Sequence, residues 1–494
     1  MSEIVELPQG AVRGRVSGGV TAHLGIPYAA APFGERRMRP PEPGPTWSGT
    51  RDAIAYGPTV PKSPYASPYD TLLNEPDLPG DECLNLNVWA PVDADAAPVL
   101  VWIHGGAFVN GTGAVPQYDG RAFARDGIVC VTINYRLGAD GFLDVDGGTT
   151  NIALRDQVAA LTWVRDHIAR FGGDPGRVTI AGESAGAMSV TTLASMPAAD
   201  GLFRRVIAQS GAGHHAIGRD DAQRVAGELA ARLGVTATRD ALAAVPIDRL
   251  LAAQAALSTE VQLMPDPARW GQVAANLMPF EPVLDGDVLD QLPIDAIRAG
   301  RGAGVEVLIG TNTDENRLFM EPTGAIGMID DALLDAALAG YGLEPDAVRA
   351  AYSTTAPAGA SPGDLLAAVS TDWMFRIPAL RLAEAHQAAA PTYVYEFAWP
   401  SPVRAGALGA CHFLEVPFAF DTLAAAGSNW LTGPNPPQSL ADEVHRAWVG
   451  FITDGTPGWV PYDLDRRTAM RFDLDSHPVD DIRADQRMLW DGRR

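Results

Sequence analysis

Lysine is almost missing from this chain: Lys62 stands alone among many arginines. Lysine and arginine together number 37 against 60 aspartates and glutamates, a formal charge of −23. Such a surface repels phosphates rather than neutralising them, so nucleic acid and an anionic membrane are excluded as partners, and a neutral or cationic small molecule is the expected one. The lysine shortage, beside abundant alanine, reads as mutational bias in a GC-rich genome and not as a charge-recognition device. Cysteine is scarce as well. Cys83, Cys130 and Cys411 are too few and too scattered for a disulfide framework or a zinc cluster, and no His-Glu-x-x-His pattern occurs. Neither a metal nor an organic cofactor is expected. No apolar run is long enough to cross a bilayer, and Met1 to Glu6 carry neither the basic nor the apolar part of a secretory leader. The expectation is a cytoplasmic chain with reduced thiols, in which the sequon Asn110-Gly111-Thr112 is simply a polar loop.

What is present is an ordinary globular composition, 47% hydrophobic and 20% charged, with no internal repeat. Pro and Gly cluster between Pro40 and Pro79 and between Gly427 and Pro437, as long surface loops would. Short apolar runs at Leu86–Ala90, Val99–Ile103, Ile128–Ile133 and Val178–Ala181 read as strands, each followed by a glycine-bearing turn. Ala153 to Phe171 lies between the last two with helical spacing and ends at Gly172-Gly173-Asp174-Pro175. Val305–Ile309 and Tyr393–Trp399 read as later strands. This alternation predicts an α/β architecture, a large, mostly parallel sheet flanked by helices. The chain is read as one domain over 1–494, with helical insertions at roughly 215–300 and 325–390 capping the site.

Gly182-Glu183-Ser184-Ala185-Gly186 follows the run Val178 to Ala181 and precedes the small-residue helical stretch from Ala187. A serine on a sharp strand-to-helix turn needs residues without bulk two positions to either side, and the next N–H points at the reacting oxygen. Ser184 is therefore the candidate nucleophile. A second match to the same pattern, Gly359-Ala360-Ser361-Pro362-Gly363, has no strand before it, and Pro362 has no N–H to offer. It is read as a loop.

A serine hydroxyl needs a base, and the base needs a carboxylate to fix its tautomer; with a nucleophile elbow the chain order is Ser, acid, His. His386 and His445 lie inside segments of helical spacing and read as helix-surface histidines, while His477 lies in a loop with no strand shortly before it. His412 follows a strand and lies in a loop, which makes it the candidate base. The acid is Asp314 or Glu315, directly after Val305–Ile309; Asp285, in the apparent hairpin turn Leu284-Asp285-Gly286-Asp287, is a weaker rival. Spacing does not choose between Asp314 and Glu315. His104-Gly105-Gly106-Ala107-Phe108 follows Val99–Ile103, and its glycines let backbone amides turn inward as an oxyanion hole requires.

With these residues assembled, the chain resembles the type-B carboxylesterase family, which includes bacterial para-nitrobenzyl esterases, mammalian carboxylesterases and cholinesterases. The likeness is carried by Leu24-Gly25-Ile26-Pro27-Tyr28-Ala29, Arg36 to Pro41 with Trp47, Asp81 to Val88, His104 to Phe108, Asn134 to Gly138, Asn151 to Gln157, Phe171 to Pro175 and Gly182 to Gly186. It implies an α/β-hydrolase fold, a triad of Ser184, Glu315 and His412, and oxyanion donors at Gly106, Ala107 and Ala185 with Gly105 shaping the loop. By the same resemblance Glu183 and Ser210 lie close to the triad, Arg37 pairs with Asp81, and Arg136 pairs with Asp156. Cys83 matches a cysteine that secreted members pair with an upstream partner, but Val60 stands in the partner's place, so a free buried thiol is expected. Ala139-Asp140 replaces a proline and an aromatic residue. The implied activity is hydrolysis of carboxylic esters, with amides, carbamates or lactones as alternative substrates and a non-catalytic adhesion relative as the remote one. Phe108, Phe319, Trp373, Phe375 and Trp430 are candidate pocket residues for a wide apolar site taking short or medium acyl chains. Nothing in the sequence chooses between a monomer and a weak homo-oligomer.

Overall fold

The structure is a computed structural model that describes residues 2–73, 75–353 and 359–494. Its strands, in chain order, are β1 (Ser2–Leu7), β2 (Gly10–Ser17), β3 (Val20–Pro27), β4 (Thr50–Asp52), β5 (Asn85–Pro91), β6 (Ala97–Ile103), β7 (Val129–Ile133), β8 (Gly173–Glu183), β9 (Arg205–Gln209), β10 (Ile217–Gly218), β11 (Val283–Leu284), β12 (Glu306–Asn312), β13 (Thr392–Phe397), β14 (Thr468–Phe472) and β15 (His477–Asp480). Thirteen of them form one sheet in the order β1-β2-β3-β5-β7-β6-β8-β9-β12-β13-β14-β15, with β4 beside β2. From β7 to β14 every neighbouring pair is parallel, while the flanks β1-β2-β3-β5-β7 and β14-β15 are antiparallel. Short β10 and β11 pair separately.

A parallel strand covered by helices on both faces is apolar throughout, and β6 is buried along its whole length. The period of two then sorts its side chains. Val99, Val101 and Ile103 enter one apolar core, and Leu100 and Trp102 enter the other across the sheet. A smaller cluster, with Leu334, Leu338, Tyr352, Ile377 and Trp490, holds the helices that follow residue 330.

The predicted central strands are all present, several longer than their apolar runs. The predicted helix is Ile152–His167 with a 3-10 extension to Phe171, and the helical segments before and after β11 include Arg219–Leu233, Ile247–Leu263 and Asp331–Gly340. Arg136 and Asp156 form the expected buried two-pronged pair at 2.6 and 2.7 Å. Arg37 does not pair with Asp81. It meets Asp140 at 3.1 Å and donates to the carbonyls of Ala243 and Val245, while Asp81 is exposed and its neighbour Glu82 takes Arg51. The charge at Asp140 thereby has a partner, since a buried guanidinium requires an anion and the nearby loop supplies it.

The histidines set aside in the sequence are also placed differently. His386 and His445 are 3% and 5% exposed, not on the surface. His386 bonds Thr392 Oγ1 and the Gly302 carbonyl; His445 bonds the Ala419 carbonyl and Asp126. His477 is exposed in β15, a strand and not a loop. β11 is no hairpin arm: it runs parallel to β10, and Asp285 caps the turn after it while accepting from Asn151. Ser361 caps the helix Pro362–Thr371 in a reciprocal box with Asp364, so the rejected serine opens a helix in place of a loop.

Candidate active site

Ser184 stands where β8 ends and the helix Ala185–Ser195 begins, at φ 57° and ψ −125°. The turn is tight enough to dictate its glycines. A Cβ on Gly182 would lie 2.4 Å from the Gly186 carbonyl carbon, and one on Gly186 would lie 2.0 Å from the Ile103 oxygen. Ser184 N–H donates to Gln209 O at 2.9 Å, tying the turn to β9. Ser184 is partly exposed while its neighbours on both sides are buried.

The loop after β6 lies against this turn because β6 and β8 pair from Val99 and Val178 to Ile103 and Gly182. A Cβ on Gly105 would sit 3.0 Å from Ser184 Cβ, so only glycine lets the loop approach. Gly106, Ala107 and Phe108 all have positive φ, 110°, 51° and 61°. The Gly106 carbonyl accepts from Val109 and Asn110 N–H, and Tyr135 Oη donates to the His104 carbonyl at 2.8 Å. Gly106 and Ala107 N–H donate to no group among the described residues. Ala185 N–H, as the first amide of its helix, has no intrahelical acceptor.

Glu315 follows β12 and His412 follows β13, so both reach the same carboxyl edge of the sheet as Ser184, where ligands of parallel sheets bind. His412 Nδ1 and Glu315 Oε2 are 2.7 Å apart, and Glu315 Oε1 accepts from Asn312 N–H at 2.7 Å. Asp314, the other candidate acid, turns away and accepts from Ala410 N–H at 3.0 Å. His412 Nε2 lies 3.0 Å from Glu183 Oε1, too poorly aligned for a hydrogen bond, and makes no hydrogen bond to Ser184. Burial alone would lower the His412 pKa, but the carboxylates of Glu183 and Glu315 outweigh it and hold the imidazolium well above its ordinary range. Burial raises the Glu183 pKa, against the pull of His412.

A third carboxylate, Glu415, escaped the sequence reasoning as a site residue. It is fully buried, accepts from Asn312 Nδ2 at 2.6 Å and Gln209 Nε2 at 3.0 Å, and burial with nearby Glu183 and Glu315 pushes its pKa up to about 8. Trp448 Nε1 fixes Gln209 at 2.8 Å. The available signal was an acid three residues after His412 in an otherwise apolar run. Ser210, at φ 56°, is buried, and its hydroxyl has no partner among the described residues. Of the aromatic candidates, Phe375 and Phe319 face His412 with ring centroids 4.7 and 5.3 Å away. Phe108 is core against Phe142, Trp373 packs on Trp490 under Arg494, and Trp430 lies on the surface. A cavity of about 400 Å³ lined by Glu3, His23, Phe171 and Asp174 holds none of these site residues.

The sheet order, the serine turn, the glycine loop and the acid–histidine pair can be set beside known proteins. The family model described as "Carboxylesterase family" matches residues 1–488. The chain belongs to the carboxylesterase family. It is 36% identical over 466 residues to phenmedipham hydrolase of Pseudarthrobacter oxydans, covering 92% of this chain and 90% of that protein. To the para-nitrobenzyl esterase of Bacillus subtilis it is 35% identical over 507 residues, covering 98% of each. The solved carboxylesterase EST55 of Geobacillus stearothermophilus superposes with a TM-score of 0.85 at 36% identity over 99% of both chains. A solved PNB esterase superposes at 0.84 and 33%, again over 99% of both. The fold of this carboxylesterase family member is thus the α/β-hydrolase fold that the resemblance implied.

The Glu183 geometry sets a pH expectation. For a histidine that serves as a general base, a carboxylate beside Nε2 favours the imidazolium, which cannot accept a proton, and so holds the acidic limb of kcat/KM at high pH. Glu183→Gln removes that charge, and the limb moves to lower pH in a pH–rate profile. A limb that stays or moves upward contradicts the role.

Proposed function

We propose that this carboxylesterase family member hydrolyses small-molecule carboxylic esters through Ser184, His412 and Glu315. Ser184 Oγ attacks the ester carbonyl carbon as His412 Nε2 takes its proton, and Glu315 holds Nδ1–H and stabilises the imidazolium. The amides of Gly106, Ala107 and Ala185, with Gly105 shaping the loop, receive the oxyanion. The imidazolium returns its proton to the leaving alcohol oxygen. Water then repeats the sequence on the acyl-enzyme and releases the acid and free Ser184. The observation that carries this reading is the 2.7 Å His412–Glu315 pair at the same sheet edge as the Ser184 turn and the Gly105–Ala107 loop.

Phe319 and Phe375 support an apolar wall beside the base, and the helices within 215–300 and 325–390 are read as the cap over the site. The free buried Cys83, Cys130 and Cys411 fit a reducing compartment, and we place the protein in the cytoplasm. The test is a panel of chromogenic aryl esters from acetate to dodecanoate with a matched aryl amide. Turnover is expected to peak at short or medium chains and to exceed the amide. A peak at dodecanoate overturns the pocket; faster amide cleavage overturns the ester assignment.

A further inference from the structure

The oxyanion loop is fastened from outside by a second loop. Residues 59–73 and 75–78 pack beside that turn, and their two ends meet at one neck, where Thr59 N–H donates to Leu78 O at 2.9 Å and Leu78 N–H to Thr59 Oγ1 at 3.0 Å. From within this loop Glu75 reaches the limb that leaves the oxyanion turn. One carboxylate oxygen accepts Gly111 N–H, and the other accepts Asn110 Nδ2 at 2.9 Å. Asn110 Nδ2 also donates to Ser63 O at 2.8 Å. Lys62 Nζ stands 3.8 Å from Glu75, and the two side chains are 2% and 6% exposed. Burial pushes the Glu75 carboxyl upward, while Lys62 and the two N–H donors pull it back.

Gly106, Ala107 and Phe108 are consecutive residues at positive φ, and such a run persists only where its surroundings over-determine it. On one side the run is fixed by the sheet through His104 and Tyr135. On the other it closes through Asn110 N–H on Gly106 O at 2.8 Å, and Gly111 packs so near that a Cβ there would lie 2.1 Å from His104 Nδ1. We propose that Glu75 is a positioning residue for the oxyanion hole: its carboxylate fixes Asn110 and Gly111, and through them the Gly106 and Ala107 amides, with Lys62 as its counter-ion. The inference rests on the ester-hydrolase reading above.

The test compares wild type, Glu75→Ala, Glu75→Gln and Lys62→Met for kcat and KM on an aryl ester. It adds inhibition by an aryl trifluoromethyl ketone, which forms an anionic adduct on the serine. Losing an oxyanion donor outright costs about 10²–10³ in rate, so a displaced donor pair in Glu75→Ala lowers kcat by about 10–100-fold. KM moves little, and the ketone's Ki rises by the same factor as kcat/KM falls. Glu75→Gln keeps an acceptor for Gly111 and falls between Ala and wild type. Unchanged kcat and Ki, or a change in KM or thermal midpoint alone, overturns the inference. If Glu75→Ala does not fold, Glu75→Gln and Lys62→Met decide by the same criterion. Absence of Ser184-dependent turnover in the wild type would sink the ester-hydrolase reading itself, whereas wild-type turnover matched by the Glu75 variants sinks the positioning role alone.

Discussion

Ser184→Ala is expected to remove ester turnover, with kcat falling about 10⁶-fold as when a comparable serine nucleophile is deleted. The substitution takes away Oγ and nothing else. Ala keeps the Cβ that already sits at φ 57°, so the turn carries the same backbone strain with either residue. The Ser184 N–H bond to Gln209 O and the Ile103 approach to Gly186 belong to the backbone and remain. The variant is thus expected to melt with the wild type, and circular dichroism beside the rate assay separates lost chemistry from lost fold. Retained turnover in folded Ser184→Ala sinks the nucleophile assignment.

Glu315→Gln is expected to lower kcat by about 10⁴ with little change in KM, as when a triad carboxylate becomes an amide. Both carboxylate oxygens are acceptors, one for Asn312 N–H and one for His412 Nδ1. An amide has a single acceptor. If its oxygen keeps Asn312, its NH₂ faces Nδ1 and forces the proton onto Nε2, where it blocks transfer from Ser184. If it turns over, NH₂ meets the Asn312 N–H, donor against donor. Either way the base loses its working tautomer or its support. Steady-state kinetics at the pH plateau reads the loss; a fall of less than tenfold in kcat contradicts the role of Glu315.

The parts of the site that were legible are those written in local sequence. Gly182 and Gly186 are demanded by contacts two residues from Ser184, and the runs leading into β6 and β8 show where the glycine loop and the serine turn must lie. The choice between Asp314 and Glu315 was not legible from spacing, because both follow β12 and both are held by loop residues near 410; the family resemblance picked the one that meets His412. Pairings between remote loops were not legible either. Arg37 finds Asp140 across 103 positions, and the resemblance named Asp81. Helical periodicity placed His386 and His445 on helices but said nothing of what covers them. Glu415 was hidden for the converse reason: a buried acid is tolerable only through Asn312 and Gln209, which lie about 100 and 200 positions away and show no periodic mark. The antiparallel strands β1, β2, β14 and β15 went unread because their alternation is short and mixed with charges, while β3 was marked only by the family resemblance of Leu24 to Ala29 to an entry strand.

The burial of Lys62 makes the folded protein a poor target for chemistry aimed at lysine side chains. Crosslinkers and acylating dyes that seek lysine find its one side-chain amine covered. A lysine-specific endoprotease meets the same barrier, and its one cleavage site, the Lys62–Ser63 bond, lies within the loop that carries Glu75. Nicking at that bond therefore reports how often the loop lifts from Asn110 and Gly111, on a chain otherwise blank to the reagent.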